Sequence, residues 1–353
     1  MDDIRQVVIS GFADETCASK NLDQQFSVFS ALGLEYFSIR FVEIDGRVKN
    51  SVDLNKTELL QVKNKIAEYG LRVSSLGSPI GKVKLQDVED GTQNSFVPFP
   101  EYLANNVQTA LDVACELETK LVRGFSFYHP RGTDAASHLP QTVEQLGQIA
   151  DACAARDLTF GLEVEANLVG YSGQLLRQIY DQLNHHRLVL IFDGGNLITQ
   201  GYDTVAVFAE YQAMKPGLGW IHVKDYTLDS AAKPGEFVDE EALMKFVPVE
   251  QGASGYQQIF DDLTNYDVAN GDVANDDVAN DSAKIFQRAS ALGLPGIFLD
   301  LEPHLKGGGQ FGGYSGPDGF GLAFRSLCSQ LDQANLAYDL RDLESVKNSI
   351  EPD

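Results

Sequence analysis

Basic residues are scarce in this chain of 353 residues: 27 Lys and Arg stand against 51 Asp and Glu, a formal net charge of -24. A surface of that sign repels phosphate backbones and anionic membranes unless cations are segregated on one face. No stretch shows such a segregation, so neither nucleic acid nor membrane is an expected partner. Cysteine is equally sparse. Cys17, Cys115, Cys153 and Cys328 lie far apart with no CxxC pair, which excludes a zinc knuckle and gives no disulfide framework. Three of them fall in apolar helical patterns and read as small core residues. No run approaches the roughly 18 apolar residues of a membrane helix. The start, MDDIRQVVISGFADET, has two acids where a secretory leader is basic, so cytoplasm is the expected location. Finally, no GxGxxG turn follows the first apolar run, and a dinucleotide-binding sheet would need that phosphate cradle.

What is present is an ordinary globular composition, 43% hydrophobic and 22% charged. Short β-branched or aromatic runs alternate with helical patterns along the whole length, the mark of repeated βα units on a parallel sheet. Eight runs qualify: VVISGF from Val7, YFSIR from Tyr36, RVSSLGS from Arg72, KLVRGFS from Lys120, TFGLEVE from Thr159, LVLIFDG from Leu188, GWIHVKD from Gly219 and GIFLDLE from Gly296. Between them, Phe26, Phe29 and Leu32 repeat at helical spacing, as do Leu103, Val107, Leu111 and Ala114 in YLANNVQTALDVACELE. Gly33, Gly70 and Gly293 close helical patterns just before strands, where left-handed caps are needed. These units predict an α/β fold, a (β/α)8 TIM barrel forming a single domain over residues 1–353. One segment breaks the rhythm: an acidic low-complexity insertion at about 267–281, reading DVANGDVANDDVAND, expected as a solvated surface excursion.

In such a barrel the active site lies at the C-terminal ends of the strands. The last four strands end in unusual polar residues: Glu163, Asp193, His222 and Glu302. Burying three carboxylates and an imidazole together would cost several kcal/mol per ion without compensation. A divalent cation supplies it. Oxygen donors with one imidazole and no thiolate suit manganese first, with magnesium, cobalt or zinc as alternatives. Glu165 shares strand parity with Glu163 and would replace it if the strand continued, but Asn167 and LVGYSG signal a turn. Asp300 shares parity with Glu302 and would need an internal partner, whereas Asp225 is out of phase with His222 and reads as a supporting or loop residue.

The strand-end segments GFADET, LGSPIGK, VRGFSFY, GLEVEANLVG, FDGGN, IHVKD, FVPVEQG and LDLEPHL resemble those of the xylose isomerase-like TIM barrel family, the sugar phosphate isomerase/epimerase group. The resemblance covers almost the whole chain in order. It implies one metal ion on Glu163, Asp193, His222 and Glu302. In the ketose 3-epimerases of that group the two metal-binding glutamates also move protons, which here implies Glu163 and Glu302. Asn196 stands where those enzymes usually have histidine, Leu228 where they have arginine, and Ser38, beside Arg40, where they commonly have glutamate.

Lys82, Arg123, Asn196, Lys224 and His304 complete the expected rim and would contact substrate oxygens. The glycine-rich KGGGQFGGYSGPDG from Lys306 occupies the place where barrels often bind phosphate, with a lid or contact loop as the plain alternative. The expected activity is a metal-dependent isomerase or epimerase acting on a small polyhydroxylated substrate. Alternatives are a lyase on a keto-inositol or keto-glycoside, an apurinic endonuclease, whose richer histidine set is not evident, and a non-catalytic sugar sensor. Assembly into a homo-oligomer is left open.

Overall fold

The computed structural model describes residues 6–229, 231–264, 277–308, 312–342 and 344. Eight parallel strands form the barrel: β1 (Gln6–Gly11), β2 (Tyr36–Ile39), β3 (Arg72–Ile80), β4 (Leu121–Gly124), β5 (Thr159–Glu163), β6 (Leu188–Asp193), β7 (Leu218–Val223) and β8 (Ile297–Leu301). Each pairs with its sequence neighbour from β2 through to β8, and β8 returns to β1 with Val7 opposite Ile297 and Gly11 opposite Leu301. The β1–β2 seam is closed by a single parallel bridge, Phe12 to Ser38. At the other end of that seam a two-residue strand, Ala337–Tyr338, pairs with Gln6 and Val7. All eight strand expectations hold.

Period-two alternation sorts the strand residues into layers. Leu121, Val189, Ile191, Trp220 and Phe298 form a separate apolar cluster at the bottom of the barrel. Gly161 makes room for it, because a Cβ there would lie 2.0 Å from the Trp220 ring. Above this plug sits a polar layer in which Asp300 accepts from Ser38 Oγ at 2.7 Å, Ser75 Oγ at 3.3 Å and Ser74 Oγ at 3.4 Å. These hydroxyls are the internal partners that the strand parity of Asp300 demanded. The large outer core, including Phe26, Phe29, Val107, Leu111, Leu146 and Ile179, packs the helices on the strands.

Three expectations are refined. The helix from Tyr102 is interrupted by a π-helical turn, Leu103–Val107, before Gln108–Glu116 resumes. Thr109 Oγ1 donates to the Asn105 carbonyl at 2.6 Å there, a back-bond that competes with regular helix pairing. Cys115 is exposed, because the buried face of its helix is Ala110, Leu111, Val113 and Ala114, while Cys153 is buried as expected and Cys328 is half-buried. Of the acidic repeat, 267–276 lies outside the described residues, and its last unit opens the helix Asp277–Ala291. Gly33, Gly70 and Gly293 all have positive φ, as their capping positions require. Among the described residues no helix is long and apolar enough to cross a membrane.

Candidate metal centre

β5 and β6 end on Glu163 and Asp193, His222 is the penultimate residue of β7, and Glu302 follows β8 directly. All four side chains are buried, and each offers a ligand atom lying within 4.8 Å of the other three. β5 does stop at Glu163. Glu165 turns away to Lys82, its Oε2 3.0 Å from Nζ, and is not in the cluster.

Local structure fixes each group. Asp193 caps its own short helix, Gly194–Thr199, by accepting from Asn196 N at 3.0 Å through Oδ1, which leaves Oδ2 for the cluster. Asn196 then reaches back, donating to Glu163 Oε1 at 3.2 Å and to the Val164 carbonyl at 3.0 Å. Trp220 Nε1 lies 3.3 Å from His222 Nε2, so Nδ1 faces the carboxylates, 3.1 Å from Glu163 and 3.9 Å from Glu302. The Tyr256 hydroxyl donates to the His222 carbonyl at 2.7 Å and accepts from Gly194 N at 3.1 Å, tying the ends of β6 and β7 together.

Cations surround the acids. Lys224 Nζ lies 3.0 Å from Asp193 and 3.1 Å from Glu302. Arg40 bonds Glu302 at 2.5 Å and Asp14 at 3.2 Å, while Arg123 lies 3.4 Å from Glu163 between the rings of Phe12 and Phe125. Burial alone would raise the Glu163 carboxyl, but His222 and Arg123 hold it down at about 2. Glu302, buried beside Lys224 and Arg40, is likewise held well below the usual range. Asp193 goes the other way: burial, only partly offset by Lys224, pushes it up to about 6.

A divalent metal ion fits this arrangement. Asp193 Oδ2 and His222 Nδ1 are buried without an aligned hydrogen bond, their contacts to Lys224 and Glu163 being ion pairs off the bonding angle. Acids also outnumber Lys and Arg in the ion-paired network: its carboxylates are Asp14, Glu15, Glu163, Glu165, Asp193, Glu240 and Glu302, its fixed cations are Lys20, Arg40, Lys82, Arg123 and Lys224, and His222 and His304 join it through Glu163 and Glu15.

The cluster floors a cavity of about 530 Å³, lined by all five expected rim residues: Lys82, Arg123, Asn196, Lys224 and His304. Three residues beyond the sequence reading also matter here. Glu15 accepts from both His304 Nδ1 (2.5 Å) and His304 N (2.8 Å) and from Ser315 Oγ (2.9 Å), holding the histidine in a left-handed backbone, φ +50°. Gly313 leaves space for that ring, since a Cβ would come within 2.0 Å of Nδ1. Glu240 reaches Lys82 at 3.3 Å from the segment between β7 and β8, which Asn167 pins through Val238. The acids of GFADET stood in a strand-end motif and were findable; Glu240 stands in no motif at all.

The profile of the xylose isomerase-like TIM barrel matches residues 26–271, well over half the chain. No curated protein matches in sequence. Among solved structures, a xylose isomerase-like TIM barrel protein from Mycobacterium smegmatis in complex with magnesium is 15% identical, with 96% of this chain and 100% of that one covered at a TM-score of 0.59. The probable 3-DHS dehydratase AsbF of Bacillus anthracis is 14% identical over 91% and 98% of the two chains, TM-score 0.55. D-allulose 3-epimerase from Methylomonas sp. is also 14% identical, over 92% and 98%, TM-score 0.55. At these identities the structures establish a shared fold, and with the profile they establish kinship: this chain belongs to the xylose isomerase-like TIM barrel family.

Proposed function

We propose that the protein is a metal-dependent isomerase or epimerase acting on a sugar or sugar derivative through an enediolate-type intermediate. The observation that carries this reading is the pair Glu163 and Glu302. Both are buried, both are held ionised by cations, and both face His222 Nδ1 from different strands. When bound, one divalent ion, manganese by first preference, would sit on Glu163, Asp193, His222 and Glu302 and supply Lewis-acid polarisation of a substrate carbonyl.

The chain's own groups do the rest. One glutamate takes the proton from the carbon beside the carbonyl, and Arg123 and Lys224 stabilise the negative charge that develops on oxygen. Return of a proton on the other side requires a source. The other glutamate, protonated from solvent, returns the proton on that side, and Lys224 Nζ, 3.1 Å from Glu302 Oε2, holds that carboxyl in place. Asn196 holds Glu163 in position, and Lys82 and His304 orient hydroxyl groups at the rim. A lyase acting on a keto-inositol or keto-glycoside would use the same first base, and the His304 ring held by Glu15 favours keeping that second reading, since a leaving oxygen needs its own acid.

The deciding experiment incubates the metal-loaded protein with ketoses, keto-inositols and sugar acids in heavy water. Retained mass with deuterium at the exchanged carbon supports the isomerase; loss of water or aglycone supports the lyase. Absence of turnover on every compound by protein shown to contain metal would favour a sugar sensor.

A further inference from the structure

We propose that the substrate of this site is uncharged, a polyhydroxylated ketone or aldehyde carrying neither phosphate nor carboxylate; this deepens the isomerase reading and rests on it. The cavity holds four Lys or Arg side chains, a number that would ordinarily suggest an anion site. Each is already committed. Arg40 is shared between Asp14 and Glu302, Lys224 between Asp193 and Glu302, and Lys82 between Glu165 and Glu240. Arg123 faces Glu163 at 3.4 Å and donates to the Gly77 carbonyl at 3.2 Å. Among the described residues, no cation lining the cavity lacks an acid.

Committed in this way, the cations offer a phosphate no free partner, and desolvation would oppose its entry into the buried space. Glu165 and Glu240, flanking Lys82 at the rim, offer acceptor oxygens for hydroxyl protons and repel anionic oxygens.

Three described amides of the glycine-rich segment are already used within it: Lys306 N donates to the Tyr314 carbonyl, Tyr314 N to that of Gly307, and Gly307 N to that of His304. Lys306 pairs with Asp318 at 2.7 Å, and Asp318 itself occupies the first turn of the helix Gly316–Ala334. The N-terminus of that helix therefore already has its anion.

The test is calorimetric titration of the manganese-loaded full chain with matched sets of ketohexoses, their 1- and 6-phosphates, and ketohexuronates. Inorganic sulfate is titrated alongside, a dianion that keeps manganese in solution and does not depend on the right carbon skeleton. The expected result is that the neutral sugar binds at least about 10-fold tighter than its charged counterparts, and that sulfate binds no tighter than about 1 mM. A charged sugar binding tighter than its neutral parent, or sulfate binding below that limit, overturns the proposal. If no sugar of either kind binds, the isomerase reading fails, and the sulfate arm still decides whether the site accepts a dianion.

Discussion

Asp193 Oδ2 and His222 Nδ1 are the atoms most exposed to loss if the metal assignment is right, because neither has an aligned hydrogen bond to fall back on. Combining Asp193→Ala with His222→Ala should weaken metal binding by more than the roughly 10–100-fold that follows loss of a supporting contact. Elemental analysis after dialysis against a fixed manganese concentration reads this directly, and undiminished occupancy would remove the site. The two glutamates separate binding from proton transfer. Glu163→Gln or Glu302→Gln keeps an oxygen donor but removes the group that takes up and returns the proton, so turnover should fall by a factor on the order of 100 to 10,000 while some metal remains. If both variants keep metal and full activity, the two-glutamate mechanism is wrong, and Lys82 and His304 become the candidates. These four residues were legible in the sequence because they stand at the ends of four successive strands; Glu163 could be told from Glu165 by the turn signal of Asn167 and LVGYSG. The acids of GFADET could be found but not their roles, and Glu240 not at all, because the partners of Asp14, Glu15 and Glu240, namely Arg40, His304 and Lys82, lie 26, 289 and 158 residues away.

At the level of elements, the strands ending in the site are braced by the loop that follows FVPVEQG. Asp225 Oδ1 accepts from Tyr226 N, Ala253 N, Ser254 N and Ser254 Oγ, pinning residues 253–254 under the end of β7, while Oδ2 has no partner. Burial, opposed by those bonds, raises this carboxyl to about 7. The sign follows. The folded state holds a proton that the unfolded chain, with its carboxyl near 3.8, has released; stability contributed by that proton is present at low pH and is lost as pH rises from about 4 to about 7. Denaturant melts at pH 5 and pH 8 should therefore differ more for the wild type than for Asp225→Asn, which keeps the accepting oxygen and cannot ionise. Asp225→Ala strands four donors and should cost at least about 1–3 kcal/mol at either pH. An Asn variant as pH-sensitive as the wild type would show that the dependence arises elsewhere. Strands and capping glycines were readable here because both follow short-range steric rules. The Asp225 brace joins residues 28 and 29 positions apart, and its geometry exists only once β7 and the loop have met.

For the whole molecule, the barrel has one weak join. Seven of its eight strand-to-strand contacts are ladders, but β1 meets β2 through the single Phe12–Ser38 bridge, the short Ala337–Tyr338 strand pairing with β1 alone. Arg40 follows β2, Asp14 follows β1 and Glu302 follows β8, so the guanidinium that lines the cavity also spans this join. Arg40→Met should cost about 3–5 kcal/mol, the usual effect of removing one partner from a buried pair. Hydrogen exchange should accelerate in Gln6–Gly11 and Tyr36–Ile39 before it does in Leu188–Asp193; uniform acceleration would contradict a local opening. The barrel is thus a hoop fastened by an electrostatic clasp, and the clasp is made of the same atoms that shape the binding site. Evolution cannot retune one without loosening the other: a change of specificity that recruits Arg40 to a new ligand would have to arrive together with a new fastening between the first and second strands.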